Sequence, residues 1–266
     1  MTPVSRFIST CAIFIAGMGV ALLAPLAWSV AAPSDGWASL SPGLDWTRLE
    51  VETPETERTV RILAVRVDLA RFRLRALDAR AHDRNVWSAK EAARADDVLV
   101  AVNGSFFDEA GKPMGLLIDD GRQLYPLRKA DWGVLYVAGG KARIVHSRDF
   151  KKTPAGTTFA IQTGPRLVVG GKVTSLKPNF ARRSAVCLHA DGRVSLVATE
   201  SAVVLSEFAE ILRRSPSEGG LGCPDAINLD GGSSTQLHVQ GPSAPRGITA
   251  PAEVPVMVGV SRALTP

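Results

Sequence analysis

The chain has 266 residues, 45% of them hydrophobic and 21% charged, with a formal net charge of +5. These proportions fit a globular protein of one substantial domain or two small ones and exclude a disordered chain. Basic residues form no run interleaved with aromatics, so no nucleic-acid partner is expected, and the mild positive balance suits solubility and the approach of a phosphate-bearing substrate.

At the N-terminus Arg6 is the only charge before Asp35, and an apolar run extends from Cys11 to Trp28. Small residues follow at Ser29, Ala31 and Ala32, the pattern of a secretory signal peptide over residues 1–32. An uncleaved anchor is the other reading of such a run. Pro25 and the small-residue exit favour cleavage, which leaves a periplasmic or secreted chain with no membrane span. Residues 33–48 are rich in Pro, Ser, Gly and Trp and look like an ordered lead-in or linker, and a lead-in segment over 33–58 is expected before a domain over 59–263.

From Thr59 onward short strands predominate. Val60 to Leu69 is β-rich, and Phe72, Leu74 and Ala76 alternate with Arg73 and Arg75. The Ser88-Ala89-Lys90-Glu91 sequence is a capping box and predicts a helix through about Ala95. Hairpins are predicted around Gly139-Gly140, Gly170-Gly171 and Asp191-Gly192. Leu205, Phe208, Ile211 and Leu212 form one apolar helical face, and Val254, Val256, Val258 and Val260 alternate as in a half-buried strand. The expected fold class is α+β, an antiparallel or mixed sheet core with a few packed helices. Once Cys11 is removed, Cys187 and Cys223 remain; they form a disulfide or stay as two buried thiols.

Four apolar segments adjoin polar, chemistry-bearing residues. Val98–Val102 runs into Asn103-Gly104-Ser105-Phe106-Phe107-Asp108, and Ile161 leads to Gln162-Thr163-Gly164-Pro165-Arg166. Arg182-Arg183-Ser184 precedes a strand, and Ala226-Ile227 leads to Asn228-Leu229-Asp230-Gly231-Gly232-Ser233-Ser234. Strand ends are where a rigid scaffold presents site residues, and a glycine turn lets a ligand approach backbone N–H groups.

In this order the four motifs resemble those of the phosphodiester glycosidase family, over roughly residues 60–262. The family often has Asn-Gly-Gly where Ser105 stands, and Thr where Ser184 stands. The resemblance implies an exported hydrolase that releases a sugar from a phosphodiester of the N-acetylglucosamine-1-phosphate type, in a glycan or cell-envelope polymer. Positive charge would build at the anomeric carbon, which a carboxylate answers, and negative charge on the phosphate, which guanidinium and N–H donors answer.

Asp230 is the expected catalytic carboxylate, with Asp108 as the nearest second acid; Glu109, Asp119 and Glu200 are weaker candidates. Asn103, Gly104, Gln162, Arg183, Gly231, Gly232, Ser233 and Ser234 are expected to bind substrate, Arg183 as the phosphate clamp. For Asn103 and Gln162 the other reading is satisfaction of strand-end backbone groups. No metal site or cofactor is expected, although a divalent cation bridging Asp230, Asn103 and phosphate is compatible with oxygen ligands. A non-catalytic module that binds an anionic cell-surface glycan is the alternative to an enzyme.

Overall fold

The computed structural model describes residues 36–53 and 56–263. The signal-peptide reading and Cys11 lie outside them. No helix among the described residues is long and apolar enough to cross a membrane.

The alternation of apolar side chains is resolved into three main sheets whose strand pairs are all antiparallel. The largest has eight strands. At its centre, Arg58–Val67, Val194–Thr199, Ser184–Leu188 and Asp225–Asn228 lie side by side. A four-stranded sheet carries Val100–Asn103 between Leu237–Val239 and Val256–Arg262, with Phe72–Asp78 at its edge. A five-stranded sheet has Thr157–Thr163 at its centre.

Successive strand residues face opposite sides of a sheet, so the central strands of the large sheet feed two cores. Leu63, Val65, Val186, Leu196 and Ile227 pack with Val100, Val102, Val258, Phe159 and Ile161 from the other two sheets. Ile62, Ala64, Ala185, Val197 and Ala226 meet Leu205, Phe208, Ile211 and Leu212 on α2 (Leu205–Arg213), the face that their spacing predicts. Helix α1 (Ala89–Ala95) begins at the expected capping box: Ser88 Oγ accepts from Glu91 N–H, and Glu91 accepts from Ser88 N–H. Its Ala89, Ala92 and Ala93 cover Ala101 and Met257 of the four-stranded sheet.

All three predicted hairpins form. The predicted lead-in over 33–58 differs. Ala38–Ser41 and Leu44–Thr53 are the outer strands of the large sheet, the second paired with Arg58–Val67 along its whole length. Composition suggests a linker here, but Leu44 and Trp46 have an apolar face to cover. Cys187 and Cys223 are joined in a disulfide, with Cα atoms 5.7 Å apart and both residues buried.

Candidate active site

The strand ends converge on Asn103. Its Oδ1 accepts from Ser184 Oγ at 2.6 Å and from Gln236 N–H at 3.1 Å, and its Nδ2 donates to the Asp230 carbonyl at 2.6 Å. Three of the four motifs are thereby pinned together by one buried amide. The Asp230 N–H in turn donates to the Gly104 carbonyl at 3.0 Å. Gly104 is required there because a Cβ would lie 2.7 Å from Val256 Cγ1. The remaining motif joins through Thr163, whose hydroxyl donates to the Asn228 carbonyl at 3.0 Å, and through Gly164, whose carbonyl accepts from Asn228 Nδ2.

Asp230 is partly buried at the mouth of this junction. Its Oδ1 accepts from Gly231 N–H at 2.9 Å, and Ser234 hydrogen-bonds to the carboxylate. Burial raises its pKa above the usual aspartate value, while the Ser234 and Gly231 bonds oppose that rise. A carboxyl group shifted in this direction exchanges a proton closer to neutrality, the property that acid–base catalysis requires.

Gly232 adopts φ +61°, a left-handed conformation suited to glycine, and its N–H donates to the Arg182 carbonyl at 2.8 Å. With the Gly231 and Gly232 N–H groups both occupied, the open anion nest expected of the two glycines is reduced to the next residue. Ser233 is exposed, and neither its N–H nor its hydroxyl bonds to another described residue. Those two donors belong to an exposed residue three positions along the chain from Asp230.

Other expected residues have different work. Gln162 is fully buried and its amide is saturated: Oε1 accepts from Leu116 and Arg128 N–H, and Nε2 donates to the Arg128 carbonyl and Ser147 Oγ. Asn103 and Gln162 thus satisfy backbone groups. With two donors already on Asn103 Oδ1, no oxygen there is left over for a cation shared with Asp230.

The Arg183 guanidinium is held by the Val203 carbonyl and by the carbonyl and side chain of Asn179. It shares no hydrogen bond or ion pair with Asp230, and these bonds tether it to the Asn179 and Val203 segments. The residue at the turn is its neighbour Arg182, which donates to the Thr235 and Thr249 carbonyls at 3.0 and 2.9 Å. Neither arginine has a carboxylate partner among the described residues, and desolvation lowers the pKa of both.

Asp108 is exposed, and its Oδ1 accepts from Lys112 N–H at 2.8 Å to close a turn. That role explains its sequence position without a catalytic one. Asp119 is bound by Arg75, and Glu200 pairs with Arg48. Sequence reasoning missed Gln236, which is buried, receives α1 through Ala89 N–H at 2.7 Å and donates its backbone N–H to Asn103. The available signal was a lone amide just after the Gly-Gly-Ser-Ser turn and before an apolar strand.

Comparison with known proteins bears directly on this junction. A family model described as phosphodiester glycosidase matches residues 96–261, a span that holds every residue of the site. The chain belongs to the phosphodiester glycosidase family. Among solved structures, the fold resembles the catalytic domain of zebrafish N-acetylglucosamine-1-phosphodiester alpha-N-acetylglucosaminidase, auto-inhibited by its pro-peptide. The TM-score is 0.66 and the identity 18%, over 84% of this chain and 85% of that one. It also resembles a hypothetical protein from Synechocystis, with TM-score 0.58 and 19% identity over 84% of this chain and 63% of that one. The uncharacterised Escherichia coli K12 protein YigE is 33% identical over 141 residues, which are 46% of this chain and 55% of YigE. The match therefore spans about half the length of that relative.

Proposed function

We propose that this protein is an exported hydrolase that cleaves the anomeric C–O bond of a sugar-1-phosphodiester, of the N-acetylglucosamine-1-phosphate type, in a glycan or cell-envelope polymer. Water supplies a hydroxyl group to the anomeric carbon and a proton to the products. The C1–O bond breaks, and the phosphate leaves as a monoester on the aglycone. Asp230 carries the reading: a desolvated carboxylate at a junction of strand ends, oriented by Gly231 and Ser234 and backed by Asn103.

In this scheme Asp230 answers the positive charge that develops at the anomeric centre, as nucleophile, base or electrostatic stabiliser. Ser233 N–H and hydroxyl donate to the phosphate or a sugar hydroxyl. Arg182 and Arg183, without carboxylate partners, keep the field around the turn positive. Phosphate leaves readily without protonation, so the scheme needs no second acid of the usual pair. The family membership and the sequence pattern of residues 1–32 support the hydrolase and export parts of the reading.

The test is a panel of sugar-1-phosphodiesters incubated with the purified chain, with released reducing sugar as the readout. Release from an N-acetylglucosamine-1-phosphodiester supports the reading. A panel from which no member yields free sugar overturns it.

A further inference from the structure

A groove of about 1240 Å³ opens beside the Asp230 turn, between the Leu44–Thr53 strand and the segment from Pro245 to Glu253. Ordinary small-molecule pockets occupy roughly 300–1,000 Å³. Two of the residues that line it, Arg182 and Ala252, are bonded to the turn itself. The Arg182 carbonyl accepts from Gly232 N–H at 2.8 Å, and Ala252 N–H donates to the Ser233 carbonyl at 3.2 Å.

The lining of this groove follows from strand geometry. Trp46, Arg48 and Glu50 are alternate residues of one strand and share a face. Arg61, directly across from Glu50 in the register, pairs with it at 3.0 Å. Arg48 pairs with Glu200. Such pairs set fixed donors and acceptors along a wall, the inventory that hydroxyl-rich ligands match. Trp46 is only partly buried and adds a flat aromatic surface to the lining. Beyond those pairs, Lys90, Arg182 and Arg246 stand against the single acid Glu253, so the groove carries excess positive charge.

We propose that this groove binds an extended phosphosaccharide chain, the stretch of a polymeric substrate that continues beyond the diester at Asp230. The substrate class rests on the hydrolase reading; the groove's preference for length and negative charge rests on its own residues. A single sugar phosphate would engage the Asp230 turn and leave the groove empty. Several linked units would span both, with one ring against Trp46 and a phosphate near Lys90.

The experiment titrates the Asp230→Asn full chain with a tetramer of phosphate-linked N-acetylglucosamine and, separately, with its single unit, by isothermal calorimetry. The tetramer is expected to bind at least tenfold more tightly than the single unit. Lys90→Glu, at an exposed position, is expected to weaken the tetramer roughly five- to tenfold and to leave the single unit within twofold. Trp46→Ala is expected to act in the same direction. Equal affinity for tetramer and single unit, or a tetramer affinity unchanged in both groove variants, overturns the proposal. Sugar release by wild-type chain is a separate readout, so failure of the hydrolase reading is distinguishable from failure of the groove.

Discussion

The side-chain amide of Asn103 donates to the main-chain carbonyl of Asp230 at 2.6 Å, joining strand ends 127 residues apart. The same amide accepts from Ser184 and Gln236, so one buried side chain sets the position of the whole turn.

Asn103→Ala deletes these three bonds and leaves buried partners unsatisfied. The expected loss of stability is about 2–4 kcal/mol, measured by urea denaturation. Turnover should fall more than this destabilisation explains, since the Asp230 carbonyl loses its anchor. An unchanged urea midpoint would contradict the role assigned to Asn103.

The raised pKa of Asp230 gives a pH-dependent signature. A carboxyl group whose folded pKa exceeds its unfolded value contributes stability below the unfolded value and loses it as pH rises through the folded value. Asp230→Asn should therefore gain thermal stability over wild type at neutral pH, and the gain should shrink as both are acidified toward pH ~3. Melting curves across that range check the sign; a gain that grows on acidification would refute it.

His189 behaves in the opposite sense. Burial pushes its pKa down to about 4, while its Nε2 sits 2.7 Å from Ser195 Oγ. Its contribution is fully present above the unfolded pKa and is lost as pH falls through the folded value. Wild type should lose roughly 2–3 kcal/mol between about pH 6.5 and 4 from this group. His189→Gln should flatten that part of the profile in denaturation experiments, and a profile of unchanged steepness would count against it.

The Cys187–Cys223 disulfide closes a loop of sequence separation 36 and ties the segment before Asp225–Asn228 to the large sheet. By loop-closure entropy, Cys223→Ser should cost about 3–4 kcal/mol. Both residues are buried, so thiol titration of the native protein should detect the pair only after denaturation in reductant. Ready reduction of the native form would contradict this.

Much of the fold is legible because its periods are strong. The capping box at Ser88, the α2 face and the glycine hairpins each rest on residues a few positions apart. What escapes the sequence depends on long-range partners. Gln162 looks like a ligand residue at a strand end, yet its amide is consumed by backbone at residues 116 and 128. Arg182 and Arg183 illustrate a one-residue ambiguity, because neighbours on an extended chain point to opposite sides. The motif identifies the pair, and only the packing of Asn179 and Val203 shows which guanidinium is taken there. Asp108 stands close to Asn103 in sequence, whereas the turn to Lys112 determines which backbone group its carboxylate accepts from.

The most direct test of the Asp230 assignment is the rate of N-acetylglucosamine release from a 1-phosphodiester by wild type and Asp230→Asn, with folding of both verified. Wild type is expected to release the sugar and leave a phosphomonoester, and the variant to lose at least about a hundredfold in kcat with substrate still bound. Release by the variant at the wild-type rate would contradict the central role given to Asp230.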